Sequence, residues 1–231
     1  MVLKVFRWAP GSRERLQRYW VPAKEGMTVL DALVDAQRRL DPTLAFRYAC
    51  RVGMCGSCGM VVNGRERWAC RTLLRSLKPG PVTVRPLYHF PLIRDLVVEM
   101  APIKEKMTQV GGAFVPMADA GGFAPIGGTS RERRAIDRAI ECIGCGMCVS
   151  ACTMVAHDPR FPGPAALNRL WTLQRDSRDA GHAGRTAIML AEDALLRCHG
   201  QANCTDVCPM GLSPTESILA LRRRALLKLF G

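Results

Sequence analysis

The sequence lacks any hydrophobic run that is long and uncharged enough to cross a lipid bilayer as a helix. The longest nearly uncharged stretch, 110–128, contains six glycines, two prolines and Asp119, a composition typical of an irregular linker. The N-terminus carries Lys4 and Arg7 among its first apolar residues and has no apolar signal-peptide core. These absences predict a protein with no membrane span or secretion signal of its own, so any attachment to a membrane must come through a partner.

Basic charge is abundant, but the features of a nucleic-acid-binding protein are missing. The formal net charge is +13, with +10 in residues 1–110 and +3 in residues 111–231. The basic residues are scattered, aromatic residues are not interleaved with them, and no nucleic-acid recognition motif is present. An acidic protein partner or an anionic membrane surface explains this charge better, and no nucleic-acid partner is expected.

The cysteines do not have the pattern of a disulfide framework. They number eleven, and no two of them are adjacent in the sequence. Disulfides alone would leave one cysteine over, and the missing secretion signal favours a reducing compartment in which disulfides are rare. Zinc is the alternative for cysteine pairs two residues apart, but structural zinc binds closed sets of four ligands, whereas the sets described next overlap. Iron–sulfur clusters are therefore the favoured occupants.

The densest cysteine motif, at residues 142–152, has the spacing C-x2-C-x2-C-x3-C. In two-cluster bacterial ferredoxins the fourth cysteine of such a motif ligates the other cluster. Residues 198–208 repeat the spacing with Gln201 in the second cysteine position, and Pro209 follows. Exchanging the fourth cysteines predicts a 4Fe–4S site with four ligands: Cys142, Cys145, Cys148 and Cys208. It also predicts a 3Fe–4S site with three ligands: Cys152, Cys198 and Cys204.

The four remaining cysteines have the plant-type 2Fe–2S spacing, C-x4-C-x2-C with a distant fourth. They are Cys50, Cys55, Cys58 and Cys70. Gly53, Gly56 and Gly59 are interleaved with them, and a loop wrapped around a cluster needs the positive φ angles and close backbone approach that glycine permits. With this set, every cysteine has a predicted ligand role.

Patterns around the cysteines predict an α+β protein with two domains. Residues 1–105 are predicted to form a β-grasp plant-type ferredoxin domain, because strands are expected at 2–8, 18–21, 60–63, 65–69 and 82–85. Thr28 and Asp31 form a capping box for its helix, and a second helical pattern at 90–100 links the domains. Residues 106–231 are predicted to form an all-α bacterial-ferredoxin-like domain, with helices from Thr129, at 164–176, at 186–197 and from Ser213 to about Lys228.

These three cysteine sets, in this order along nearly the whole chain, resemble the iron–sulfur subunit of the succinate dehydrogenase/fumarate reductase family. Residues 161–164 and 176–179 are also similar to family sequence. The resemblance implies a FAD-containing flavoprotein subunit that interconverts succinate and fumarate, and a membrane anchor of the cytochrome b type that binds quinone. This chain would relay electrons from FAD through 2Fe–2S, 4Fe–4S and 3Fe–4S to quinone, peripherally on the cytoplasmic or matrix-equivalent side. A relay needs no general base, so no catalytic residue is expected here.

The resemblance places His199 near the quinone, as a cofactor-binding residue; the alternative is a histidine satisfied by local hydrogen bonds beside a cluster. Relatives usually have proline and then bulky aromatics after the cysteine equivalent to Cys152, whereas 153–157 here read Thr-Met-Val-Ala-His. The quinone pocket is therefore expected to differ. His157 is expected on a surface loop, and the three arginines at 222–224 on a solvated helix face unless the anchor contacts them.

Two other classes of function fit part of the pattern. A free multi-cluster electron carrier of the ferredoxin type would use the same clusters, but it should be a stable soluble monomer, whereas a subunit should expose apolar docking surfaces. A subunit of a thiol-linked fumarate reductase or a heterodisulfide reductase is the second alternative. Some of those chains carry a domain with adjacent cysteines, and this sequence has no adjacent pair.

Overall fold

A computed structural model of the protein describes residues 1–117, 125–191 and 194–230. Within them the chain forms two compact units, each with its own hydrophobic core. The first unit comprises 1–100 and 143–151, and the second comprises 101–142 and 152–231. The segment 143–151, which the sequence-based division assigns to the C-terminal domain, thus clusters with the N-terminal unit. Residues 118–124 of the predicted linker and 192–193 of the predicted helix at 186–197 lie outside the described residues.

The first unit contains a mixed five-stranded β-sheet and one long helix. Its elements are β1 (Val2–Arg7), β2 (Arg15–Trp20), α1 (Val29–Arg39), β3 (Gly59–Val62), β4 (Arg65–Trp68) and β5 (Val82–Arg85). The sheet order is β2-β1-β5-β3-β4, with β1 and β5 parallel and the other neighbours antiparallel. The strand predicted at 82–85 is confirmed in its bounds, and the other predicted strands are confirmed within about three residues.

Helix α1 covers the sheet because its apolar residues fall on one face. Leu30 and Leu33 of α1 are buried in the same core as Leu3 and Val84 of the central strands. The predicted capping box is confirmed at its start: Thr28 N donates to Asp31 Oδ2 at 3.0 Å, and Asp31 N donates to Thr28 Oγ1 at 3.2 Å. The loop 50–58, outside the sheet and the helix, carries three cysteines.

The prediction of a helix at 90–100 is wrong. The chain there forms a β-hairpin of β6 (Leu92–Arg94) and β7 (Val97–Val98). Asp95 makes the turn with φ of +47°, and its buried carboxylate accepts bonds from Arg7 Nε at 2.9 Å, Trp8 N at 3.0 Å and Ala45 N at 2.9 Å. These distant partners fix the turn, so tertiary contacts outweigh a local helical pattern.

The second unit is built from helices. In chain order the helices after α1 are α2 (Ala101–Gln109), α3 (Arg131–Ile136), α4 (Met147–Ser150, in the first unit), α5 (Thr153–His157), α6 (Pro164–Arg175), α7 (His182–Leu190), α8 (Asn203–Asp206) and α9 (Pro214–Phe230). The core lies between α6 and α9, where Leu167 and Leu170 are buried with Ile218 and Leu221. None of the described helices combines the length and the apolar character that a membrane span requires.

The boundaries of three helices in this unit can be compared with the predicted ones. Ser130, rather than Thr129, caps α3, and its Oγ accepts a bond from Arg133 N at 3.1 Å. The helix predicted at 186–197 is instead α7 followed, beyond the two undescribed residues, by a 3₁₀ turn, Leu195–Arg197. Proline at the first position of α9 is confirmed at Pro214.

Candidate metal centres

The plant-type cysteines lie on the loop 50–58 and just after β4. Cys58 and Cys70 are buried, Cys50 is partly buried and Cys55 is exposed. The backbone amides of Met54 and Cys55 donate to Cys50 Sγ at 3.3 and 3.4 Å. Amide donors aimed at a sulfur favour the thiolate, which is the form that ligates iron, and hydrogen bonds to sulfur tune a cluster's potential.

The surroundings shift the pKa values of two of these thiols in opposite directions. A hydrogen bond from the Ser57 side chain, aided by contacts with Cys50, lowers the pKa of Cys55 to about 6. Burial raises the pKa of Cys58 to about 12, and the neighbouring Cys70 and Cys55 thiols add to the increase. Thiols that bind a metal are deprotonated by it. Two buried and two more accessible thiols, with amide donors at Cys50, suit a 2Fe–2S cluster.

The glycines of this loop meet the conditions expected of a cluster loop. Gly53 has φ of +76° and Gly56 has φ of +75°, in the region that favours glycine. A Cβ on Gly56 would lie 2.6 Å from Cys145 Cβ and 3.2 Å from its Cα. A Cβ on Gly59 would lie 3.0 Å from Met147 Cε. The loop therefore packs directly against the segment 143–151, which leaves no room for larger side chains at Gly56 and Gly59.

A buried carboxylate holds the segment 143–151 in the first unit. Ser150 Oγ donates to Glu66 Oε1 of β4 at 2.7 Å, and Tyr88 N donates to Ser150 Oγ at 2.9 Å. Met147 of α4 is fully buried. Cys145 and Cys148 lie within this segment. The sequence gives no local signal for the role of Glu66, because its partner is 84 residues away.

We expect Glu66→Ala to lower the stability of the holoprotein, because the Ser150 hydroxyl would lose its buried acceptor. The expected loss is about 1–3 kcal/mol, and each 1 kcal/mol lowers the unfolding midpoint by about 2–4 °C for a domain of this size. Thermal unfolding followed by circular dichroism measures the shift. Glu66→Gln keeps an acceptor oxygen and should lose less. Glu25→Ala, at an exposed position, is the control, and a shift equal to that of the control would contradict the prediction.

Four cysteines are predicted to hold the 4Fe–4S cluster. Cys145 and Cys148 lie in the segment 143–151, which clusters with the first unit. Cys142 follows a 3₁₀ turn, Ala139–Glu141, and Cys208 follows α8. Thiolates are the donors that such clusters take, and this ligand set stays a prediction.

The three cysteines predicted to hold a 3Fe–4S cluster lie in the second unit. Cys152 precedes α5, Cys198 follows the turn Leu195–Arg197, and Cys204 is in α8. Burial raises the pKa of both Cys152 and Cys204, and the Cys198 thiol raises both further. Cys204 Sγ lies 3.3 Å from Thr215 Oγ1. Cys204 is buried and Cys152 and Cys198 are partly buried, which suits a cluster with three thiolate ligands.

An arginine of α9 supports the loop of this third set. Arg222 Nη2 donates to the backbone carbonyl oxygens of Leu195 at 2.7 Å and Cys198 at 2.6 Å. The prediction that 222–224 form a solvated helix face is therefore wrong for Arg222, although Arg223 is exposed. The sequence could not reveal this, since a run of three arginines looks the same whichever of them points inward.

The residues that directly follow Cys152 are those at which the sequence departs from the family pattern. Thr153 Oγ1 donates to Gln201 Oε1 at 2.6 Å. Met154 and Val155 pack against the core of the second unit. His199 is exposed on the loop between Cys198 and α8. His157, predicted on a surface loop, is exposed but is the last residue of α5.

No cysteine forms a disulfide bond. All eleven lie within the described residues. In the described ranges, no three histidine, cysteine or acidic side chains converge closely enough to hold a single metal ion.

Two family models match separate parts of the chain. A 2Fe-2S iron-sulfur cluster binding domain matches residues 2–105, and a 4Fe-4S dicluster domain matches residues 138–212. The predicted 2Fe–2S and 4Fe–4S domains are therefore confirmed in kind and in order.

Relatives match the chain over nearly its full length. The fumarate reductase iron-sulfur subunit of Mycobacterium tuberculosis is 38% identical, with 94% of this chain and 90% of that protein covered. The succinate dehydrogenase iron-sulfur subunit of Paracoccus denitrificans is 34% identical, with 94% and 85% covered. A chain from the Mycobacterium smegmatis Sdh1 complex in the apo form matches with a TM-score of 0.89 at 28% identity, covering 100% of this chain and 97% of that one. The chain thus belongs to the family of iron–sulfur subunits of succinate dehydrogenases and fumarate reductases.

Proposed function

We propose that this chain is the electron-transferring subunit of a membrane-bound succinate:quinone oxidoreductase or quinol:fumarate reductase. The observation that carries the proposal is the similarity to such subunits over nearly the full length, together with the cysteine spacings of this chain. When bound, iron–sulfur clusters supply one-electron redox centres whose potentials depend on cluster type, hydrogen bonds to sulfur and exposure. The relay would run from FAD of a flavoprotein subunit to quinone at the membrane anchor.

The role of the chain's own residues is to hold thiolates and shield them. We assign the 2Fe–2S cluster to Cys50, Cys55, Cys58 and Cys70, the 4Fe–4S cluster to Cys142, Cys145, Cys148 and Cys208, and the 3Fe–4S cluster to Cys152, Cys198 and Cys204. The amide donors at Cys50 and the burial of Cys58 support the first set. The full burial of Cys204 and the partial burial of Cys152 and Cys198 support the third.

The finer description of the fold belongs to the same proposal. A β-grasp ferredoxin domain is supported by the mixed sheet with a parallel β1–β5 pair and α1 packed on it. An all-α bacterial-ferredoxin-like domain is supported by the helices of the second unit and by the dicluster match.

Exposed apolar residues support docking to partner subunits. Val52 and Met54, on the cysteine loop of the first unit, are 61% and 65% exposed. Leu196, beside Cys198, and Leu227, near the end of α9, are 65% and 76% exposed. Apolar side chains of this kind mark interaction surfaces when they gather near a functional site. We assign the first pair to the flavoprotein and the second to an anchor of the cytochrome b type, with the chain peripheral on the cytoplasmic or matrix-equivalent side.

Purification of the tagged chain from native membranes in mild detergent tests the proposal. We expect a flavin-containing subunit and an anchor subunit to co-purify, and we expect electron paramagnetic resonance to show three distinct clusters that succinate reduces at least in part. A cluster-loaded monomer without flavin would instead identify a free electron carrier.

His199 offers a test of the quinone end of the relay. We expect His199→Ala to lower quinone reduction about tenfold, or about 1.4 kcal/mol, which is the scale of one hydrogen bond to a bound group. Succinate oxidation by an acceptor that takes electrons directly from flavin should remain near native. His157→Ala, another exposed histidine of the second unit, is the control. Equal loss of both activities in His199→Ala would mean that His199 supports cluster assembly instead.

A further inference from the structure

Two residues that belong to no ligand set are joined beside the third cysteine set. Thr153 directly follows Cys152 at the start of α5, and Gln201 stands in the loop after Cys198 where the motif spacing expects a cysteine. The Thr153 hydroxyl donates to the Gln201 amide oxygen at 2.6 Å, at the short end of the range for such bonds. This bond ties the loop that carries Cys198 to the helix that follows Cys152.

The bonded oxygen is the one atom of the Gln201 side chain that could ligate iron. An amide nitrogen donates hydrogen bonds and offers no lone pair, whereas the carbonyl oxygen has two. One of those lone pairs accepts the hydrogen of Thr153, and this bond holds the amide oxygen, with its second lone pair, in one orientation. The backbone on either side is also constrained, since Gly200 has φ of +71° and Ala202 has φ of +62°. Alanine seldom adopts that region, so the position of Gln201 is set by the surrounding structure.

We propose that Thr153 is a positioning residue that withholds the Gln201 oxygen from iron and thereby keeps the third cluster at three irons. The inference rests on the proposed function, because it requires a cluster held by Cys152, Cys198 and Cys204. Gln201 explains why no thiolate fills the fourth corner. Thr153 explains why the amide that replaces the thiolate does not become a weak fourth ligand.

The balanced reaction that Thr153 would oppose is the uptake of a fourth iron. One electron reduces the 3Fe–4S cluster, and one Fe²⁺ then enters the open corner to give a 4Fe–4S cluster whose charge is two units more positive than that of the reduced 3Fe–4S cluster. Dithionite supplies the electron and a ferrous salt supplies the iron. The entering iron needs a protein ligand opposite the three thiolates, and the amide oxygen becomes free to serve once its hydrogen bond is removed.

The test compares the purified complex with the complexes that carry Thr153→Val and Thr153→Ser. Valine keeps the shape of threonine without the hydroxyl, and serine keeps the donor. Each is incubated anaerobically with ferrous salt and dithionite, freed of excess iron, reoxidised and examined for the 3Fe–4S resonance over time. We expect the resonance to disappear about fivefold faster in Thr153→Val, the ratio that corresponds to about 1 kcal/mol. Thr153→Ser should behave like the native protein.

Thr186→Val is the matched control, because Thr186 donates to the backbone oxygen of His182 and lies on α7; it should also behave like the native protein. A third cluster that already contains four irons in Thr153→Val as isolated, by iron and sulfide analysis, would support the proposal. Equal rates in native and Thr153→Val would overturn it while leaving the proposed function intact. Loss of the whole cluster in Thr153→Val would also overturn it, and absence of the resonance in the native complex would overturn the cluster assignment itself.

Discussion

Gly56→Ala is expected to reduce the occupancy of the 2Fe–2S cluster severely and to disturb the segment that carries Cys145. The added methyl would lie 2.6 Å from Cys145 Cβ and 3.2 Å from its Cα, so backbone must move. Such overpacking costs about 1–3 kcal/mol, and alanine at a φ of +75° adds about 1–2 kcal/mol. The combined effect of about 2–5 kcal/mol is a large part of the stability of a domain.

Visible circular dichroism, together with iron and sulfide analysis, measures the occupancy of each cluster in Gly56→Ala. Gly64→Ala is the matched control, because Gly64 has φ of +79° but no atom within 4 Å of an added Cβ. Gly64→Ala should therefore show only the destabilisation that backbone strain causes, and it should keep its clusters. If the two variants lose the same amount of 2Fe–2S cluster, the close contact between Gly56 and Cys145 does not matter for assembly.

Gln201→Cys is expected to remove nearly all of the 3Fe–4S resonance of the oxidised protein. A thiolate at this position would restore the fourth ligand of the motif, and iron–sulfur clusters prefer thiolate to amide oxygen. The variant should gain about one iron per chain, and its third cluster should have a lower potential, because the reduction potential depends on the cluster type. Electron paramagnetic resonance and iron analysis measure both changes.

Gln201→Ala is the control for that substitution, since it removes the amide without offering a thiolate and should keep the 3Fe–4S resonance. A resonance that persists at native strength in Gln201→Cys would show that position 201 is not at the open corner. The third ligand set would then need to be reassigned.

Features encoded by neighbouring residues could be predicted from the sequence. The capping box of Thr28 and Asp31 involves residues three apart. The turn after β3 has Asn63 at φ of +49° and Gly64 at +79°, as expected for an Asn-Gly hairpin turn. The cysteine spacings are also local features of the sequence. The two family models confirm the 2Fe–2S and 4Fe–4S domains that these spacings predict.

Features that depend on distant partners could not be predicted in this way. The apolar pattern at 90–100 fits a helix as well as a hairpin, and the carboxylate of Asp95, bonded to Arg7, decides between them. Glu66 and Arg222 look like ordinary surface charges until Ser150 and Cys198 are placed beside them. The eleven ligand assignments and the division at residue 105 stay predictions, because no comparison addresses them residue by residue.

The membership of 143–151 in the first unit has a consequence for synthesis of the protein. When residues 1–100 have emerged from the ribosome, the first unit still lacks the segment 143–151. Met147 is therefore not yet packed on Gly59, and the Ser150 hydroxyl is not yet bonded to Glu66. At about 5–20 residues per second the missing piece arrives roughly 3–10 s later. Until then the nascent first unit presents an unfilled apolar site and a carboxylate without its partner. A fragment that ends at residue 105 is therefore expected to remain in that incomplete, aggregation-prone state however long it is given to fold.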